Sequence, residues 1–198
     1  ATRNGPDSIL IVPISESGQP GEVSRIILSG HPVPTGIAFS QNGATAWIAL
    51  SNNNTVAVVD VAKRQVIREI PVGMVPYSLT VSHKRKQLYV SNRGGSRPQA
   101  DDVTAHSSAS QVITNPETGS TSTGTVSVID LENMTERQVN VGLAPAGLAL
   151  APDDSVLVVA NAHSDSVTFI ELDSLHIQEV KLPAYPNGTF GSTPSAAA

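Results

Sequence analysis

The constraint that dominates this chain is internal repetition. A stretch beginning at Pro34 (PTGIAFSQNGATAWIALSNNNTVAVVDV) returns from Pro76 (PYSLTVSHKRKQLYVSN, resuming at Gly124 as GTVSVIDL). It returns again from Pro145 (PAGLALAPDDSVLVVANAHSDSVTFIEL). With an insertion in the second copy set aside, the copies start about 40 residues apart, the period of architectures that place one supersecondary unit in each repeat.

The pattern inside each copy says what that unit is. In the third copy, residues 147–150 form a short apolar run, 152–154 a turn, 156–160 a β-branched run and 161–165 a polar loop, and residues 167–172 alternate. Such runs, bounded by turn residues, predict strands. A fourth run at 178–182 matches 65–70 and 137–141. Four short strands per repeat predict an all-β fold, a β-propeller of four-stranded antiparallel blades. The Trp-Asp dipeptide of the WD40 class is absent.

Within the second copy, Leu88-Tyr-Val-Ser-Asn92 followed by Gly124-Thr-Val-Ser-Val-Ile-Asp130 resembles the YVTN-type (YncE-like) propeller repeat of bacterial extracytoplasmic proteins. The resemblance covers residues 8–194. It implies a periplasmic or extracellular location with a leader already removed. It does not imply an activity, because propellers host unrelated functions.

Read in order, residues 8–28 form a partial blade, 35–72 a blade, 77–141 a blade carrying an insertion at 96–123, and 146–182 a blade. The segment 193–198 opens a further one after a Pro/Gly-containing lead at 183–194. A ring normally holds roughly four to eight blades, so this is a partial ring whose open edges call for the remaining blades or a protein partner. A start in mid-blade fits closure of the ring by pairing first strands with last ones. The outline of the insertion (Asn92-Arg-Gly-Gly, Arg97-Pro, Asp102-Val-Thr-Ala, Asn115-Pro-Glu-Thr-Gly119) looks like that of a subgroup in which the propeller precedes an alkaline-phosphatase-like phosphoesterase domain. A two-metal phosphoesterase site needs several Asp and His around paired ions. The five histidines (His31, His83, His106, His163 and His176) form no HxH or HExxH cluster, so no catalysis is expected here.

Composition narrows the classes further. The net charge of −5 opposes a nucleic-acid footprint, which is normally basic. Cysteine is absent, so there is no disulfide framework or thiolate metal site. No apolar run approaches the ~18 residues of a membrane-spanning helix.

The insertion holds the candidate binding residues Arg93, Arg97, Asp101, Asp102 and His106. A loop beyond ~15 residues with no element of its own is usually functional or disordered. Asp102 and His106 at i and i+4 would converge on a metal only if that piece were helical. A solvated polar loop is the better expectation, and no metal or cofactor is assigned. His163 and Asp165 follow the second strand of the last blade and read as turn residues. The run His83-Lys-Arg-Lys86 reads as a solvated hairpin, with an acidic partner or a phosphate headgroup as the minor alternative. Trp47 and Tyr89 read as core. Asn52, Asn92 and Asn161 end the second strands and read as structural, in Asx-type turns to the backbone. Three sequons, at Asn53, Asn133 and Asn187, read as accidental in a bacterial family.

Three functional readings follow. The first is a non-catalytic scaffold or binding propeller, the propeller part of a propeller–phosphoesterase protein. The second is an accessory structural subunit docked on a larger complex, membrane-bound in one variant of this reading. The third is a cofactor-binding propeller enzyme related to the haem d1 or quinoprotein families, which would need ligands repeating in register that this sequence lacks.

Overall fold

A computed structural model describes residues 6–182 and 191–197. The sequon at Asn187 and the lead at 183–190 lie outside the described residues. Among the described residues every regular element is a strand. A hairpin of β1 (Ser8–Ile11) and β2 (Ser24–Ile27) comes first. A four-stranded sheet of β3 (Pro34–Phe39), β4 (Thr45–Leu50), β5 (Thr55–Asp60) and β6 (Gln65–Pro71) follows. The next sheet contains β7 (Met74–Ser82), β8 (Gln87–Gly95), β11 (Thr125–Asp130) and β12 (Glu136–Asn140). Between β8 and β11, the insertion forms a separate hairpin of β9 (Thr104–Ser107) and β10 (Ser110–Ile113). The last sheet is β13 (Pro145–Leu150), β14 (Val156–Asn161), β15 (Ser166–Glu171) and β16 (Ile177–Lys181). All pairings are antiparallel between consecutive strands of a blade, which makes the architecture a partial β-propeller.

The core is three separate layers, each between neighbouring units. Ile26 and Leu28 pack against Ala46, Ile48, Leu50 and Val59. Trp47, Val56 and Val58 pack against Leu79, Leu88 and Val90. Tyr89, Val126 and Val128 pack against Leu148, Leu157 and Val159. Alternate side chains of one strand therefore enter different layers, which is why β4 is buried at five consecutive positions. Trp47 and Tyr89 are core residues, as the sequence predicts.

Each inner strand carries the same irregularity. The register shifts between Pro34 and Ile37, between Pro76 and Leu79, and between Pro145 and Leu148. The residue immediately before the proline has a positive φ: 52° at Val33, 54° at Val75 and 49° at Ala144. Thr193, before Pro194, repeats this at 42°. Gly36 lies where an added Cβ would stand 2.6 Å from the Tyr77 carbonyl oxygen, and one on Gly147 would stand 2.6 Å from the Ala196 Cα. Close approach of β7 at Gly36 and of the segment around Ala196 at Gly147 thus excludes a side chain at these two positions.

The basic run is a hairpin turn with His83, Lys84 and Lys86 exposed, and its half-buried Arg85, with the neighbouring Ser82, is tied to the next blade. Ser82 Oγ donates to Asp154 Oδ2 at 2.5 Å, while Arg85 Nε donates to the Asp154 carbonyl at 2.9 Å and Nη2 to Asp173 Oδ1 at 2.6 Å. Lys86 pairs with Glu132. The turn is a clamp between the second and third four-stranded blades, because both its donors and the facing Asp-Asp turn lie at the same end of the ring.

Candidate functional site at the mouth of the ring

The opposite end is built by the loops that follow second strands and precede inner ones. Three short acceptors hold it together. Asp7 Oδ2 accepts from the Val33 N–H at 2.7 Å, Asn54 Oδ1 from the Val75 N–H at 2.8 Å, and Asp165 Oδ1 from the Thr193 N–H at 2.7 Å. The acceptors stand immediately before β1, β5 and β15, and all three donors are positive-φ residues preceding a proline, which in two of them opens or lies in an inner strand (Pro34 of β3, Pro76 of β7). Valine is a costly residue at positive φ, of order 1–3 kcal/mol, so the latch helps hold a strained conformation. Asp165 is therefore a structural acceptor rather than a plain turn residue. In the blade carrying the insertion, the latch position is Gly124, which has no side chain to accept.

Inside this rim lies a hollow of about 290 Å³ lined by Thr35, Tyr77, Arg93, Ser107, Thr121 and His163 among others. The β7–β8 pairing brings Arg93 over the Tyr77 ring, its Cζ 4.9 Å from the centroid. Arg93 is half-buried and has no carboxylate partner among the described residues. Stacking fixes the guanidinium plane while leaving its N–H edge to a ligand. His163, which the sequence offers as a turn residue, enters the same hollow.

The other insertion candidates are not gathered there. Arg97 Nη2 donates to the Asn54 carbonyl at 3.0 Å and struts the insertion against the preceding blade. Asp101 is exposed, and Asp102 Oδ2 accepts the Gln99 N–H at 2.7 Å in a local turn. His106 lies on β9, exposed and opposite Gln111. A turn running into a strand does not bring positions i and i+4 together, so the helical condition for a shared ligand fails. Among the described residues no group of three or more His, Asp or Glu converges for a metal.

The insertion has an element of its own, against the expectation of a loop without one. Val112 is buried, and Ser110 Oγ donates to Asn54 Oδ1 at 2.9 Å, so β9–β10 is fastened to the latch and walls the hollow with Ser107 and Val112, while Thr121 reaches it from the segment that follows.

Asn52 does not end a second strand as the sequence suggests. The counterpart of Asn92 and Asn161 is Leu50: Pro34 pairs with Leu50 as Pro76 pairs with Asn92 and Pro145 with Asn161. Asn52, two residues on, donates to the His31 carbonyl at 2.7 Å. Nor do the other two make Asx turns to the backbone. Asn92 Nδ2 donates to Thr125 Oγ1 and Ser127 Oγ at 3.0 and 2.9 Å, and Asn161 Nδ2 to Ser166 Oγ and Thr168 Oγ1 at 3.0 and 2.8 Å. Being fully buried between strands, these amides find only hydroxyls of the third strand within reach.

With this geometry in hand, the family assignment rests on sequence. The family described as lactonase, 7-bladed β-propeller, matches residues 1–182. The chain belongs to that family. No curated protein sequence matches it significantly. Among solved structures, this lactonase-family chain is similar to hydrazine synthase of Kuenenia stuttgartiensis (TM-score 0.59, 21% identity, 80% of this chain and 38% of that one). It is also similar to virginiamycin B lyase from Staphylococcus aureus (TM-score 0.63, 18% identity, 94% and 52%). A candidate 6-phosphogluconolactonase from Bacteroides fragilis is similar as well (TM-score 0.57, 16% identity, 87% and 43%). At these identities the likeness is one of fold. The chain spans 38% to 52% of the length of these three structures.

Proposed function

We propose that this chain is a non-catalytic binding propeller whose mouth takes a small anion rich in hydroxyl groups. The observation that carries the reading is Arg93, seated on Tyr77 at the rim of a hydroxyl-lined hollow with no carboxylate of its own to neutralise it. A guanidinium edge matches a carboxylate or phosphate with two parallel hydrogen bonds, and Thr35, Ser107 and Thr121 suit sugar hydroxyls. Hydrolysis of a lactone would need a base or nucleophile held by an orienting partner, and the lining supplies His163 alone among titrating bases.

Titration calorimetry with gluconate and 6-phosphogluconate as probes tests this. Arg93→Met is expected to weaken binding by about tenfold or more, the worth of a charged hydrogen bond of roughly 1.5–3 kcal/mol, and glucose is expected not to bind. Turnover of gluconolactone above background, abolished by His163→Ala, would replace this reading with a lactonase.

The outline of the insertion further supports reading the chain as the propeller part of a longer, extracytoplasmic propeller–phosphoesterase protein. Intact mass and peptide mapping of the natural protein test that part: peptides from an Asp/His-rich domain are expected, and a mass of 20.6 kDa would exclude it.

A further inference from the structure

Among the described residues, four share one strained conformation at the mouth, a positive φ immediately before a proline: Val33, Val75, Ala144 and Thr193. In three of them an Asp or Asn side chain takes the backbone N–H at 2.7 or 2.8 Å. Ala144 is the exception. The loop around it is otherwise built like the loop around Val33. The Ala144 carbonyl accepts the Ala162 N–H as the Val33 carbonyl accepts the Ser51 N–H, and the Leu143 carbonyl accepts the His163 N–H as the Pro32 carbonyl accepts the Asn52 N–H. The neighbouring Leu143 N–H is satisfied by Ser164 Oγ at 2.6 Å. Yet the Ala144 N–H has no acceptor among the described residues. Its latch position is Gly124, where an added Cβ would run into the Gly142 carbonyl oxygen, so no side chain placed there could supply the missing oxygen.

A buried N–H without an acceptor is rare in folded proteins, because it gives up water and receives nothing in return. Ala144 is 2% exposed, and it lines the same hollow as Arg93, Thr121 and His163. That hollow is therefore bounded by two groups awaiting an acceptor: the Ala144 N–H and a guanidinium with no carboxylate partner among the described residues.

We propose that the carboxylate of a sugar acid completes the fourth latch. One of its oxygens accepts the Ala144 N–H, as Asp7 Oδ2 and Asp165 Oδ1 do for Val33 and Thr193, and the other meets the edge of Arg93. This inference rests on the anion reading of the mouth and narrows it to one chemical class. A carboxylate presents two charged oxygens, one for each donor. A phosphate monoester presents three, more than one guanidinium and one N–H can serve. The insertion thus shapes the site twice: its hairpin walls the hollow, and the glycine that follows it leaves the Ala144 N–H to the ligand.

Amide NMR of the 15N-labelled protein reads this proton directly, with the latched protons of Val33, Val75 and Thr193 as internal references for an N–H held by a side-chain oxygen. Gluconate is expected to move the Ala144 proton downfield toward that group and to slow its exchange with water. Glucose 6-phosphate, which has the phosphate but no carboxylate, is expected to leave it in place. Exchange of Ala144 for lactic acid turns the 143–144 amide into an ester, which deletes the N–H and keeps every side chain. With β circular dichroism retained, it is expected to weaken gluconate binding about tenfold or more; if the ester form does not fold, the shift in the natural protein decides alone. Gluconate binding that Arg93→Met weakens, with the Ala144 proton unmoved and the ester form binding equally well, overturns the latch and leaves the anion site standing. A shift with glucose 6-phosphate as large as with gluconate overturns the assignment to a carboxylate. Absence of binding by both probes overturns the latch and the anion site together.

Discussion

Tyr89 and Asn161 show how much single buried polar groups depend on their setting. Tyr89 is fully buried, its hydroxyl donating to Gln87 Oε1 at 2.8 Å. Burial pushes its ionisation up to about 12, offset only in part by Arg85. The folded state therefore holds this proton more tightly than the unfolded chain, in which tyrosine titrates near 10. The stabilisation is complete below pH 10 and is lost as pH rises from there toward about 12. In urea unfolding across that window, the wild-type protein is expected to lose about 2 kcal/mol more than Tyr89→Phe. Asn161 presents a different balance: its Nδ2 serves two hydroxyls while its Oδ1 has no partner. Asn161→Ala is expected to cost about 1–3 kcal/mol by stranding Thr168 and leaving a void. The first four-stranded blade fills the same place with Leu50, opposite Thr55, and has Ala57 where the last blade has Thr168. Asn161→Leu combined with Thr168→Ala copies that arrangement and is expected to recover most of the loss, a coupling that a double-mutant cycle measures.

At the scale of elements, Asn54 is the joint between a blade, its neighbour and the inserted hairpin. Its Oδ1 takes the Val75 N–H and the Ser110 hydroxyl, its carbonyl takes Arg97, and its own φ of 56° suits asparagine better than most residues. Asn54→Ala is expected to raise exchange rates in β9–β10 and to weaken ligand binding at the mouth, with the blades still folded. Unchanged protection of residues 104–113 would show that Val112 packing alone holds the hairpin. The strands of the complete blades were legible in the sequence because strands buried on both faces read as uninterrupted β-branched runs, as in 56–59 and 156–160. The hairpin was not, because Thr104–Ser107 and Ser110–Ile113 are four residues each and rich in serine, with a single buried apolar anchor in Val112. The same limit hid the exchange of Asn for Leu50: Ser51-Asn52 imitates the Ser91-Asn92 pair two residues out of register, and only strand pairing separates them. Arg93 was a candidate from sequence alone, but Tyr77 as its platform depends on the β7–β8 pairing, which no spacing rule announces.

Across the whole molecule, the three apolar layers make stability a sum of interfaces between neighbours rather than the property of one central core, as in linear repeat proteins. The ends differ from the middle. Val56, Leu88, Val126 and Leu157 are fully buried, whereas Leu10, Ile27 and Phe169 stand on faces left open to solvent. A substitution in one layer should therefore be felt on both sides of that layer and little beyond it. Leu157→Ala removes a buried side chain from the layer shared by the last two complete blades and is expected to cost about 2–5 kcal/mol. Native-state hydrogen exchange should then accelerate in β8, β11, β14 and β15 while β1 and β2 keep their wild-type rates. Ile26→Ala, in the first layer, should do the reverse, loosening β1, β2, β4 and β5 and sparing β14. An equal rise at all strands in either variant would show that the partial ring opens as one cooperative unit. The inter-blade latches at the mouth and the Arg85 clamp at the opposite end would then be strong enough to bind the layers into a single transition.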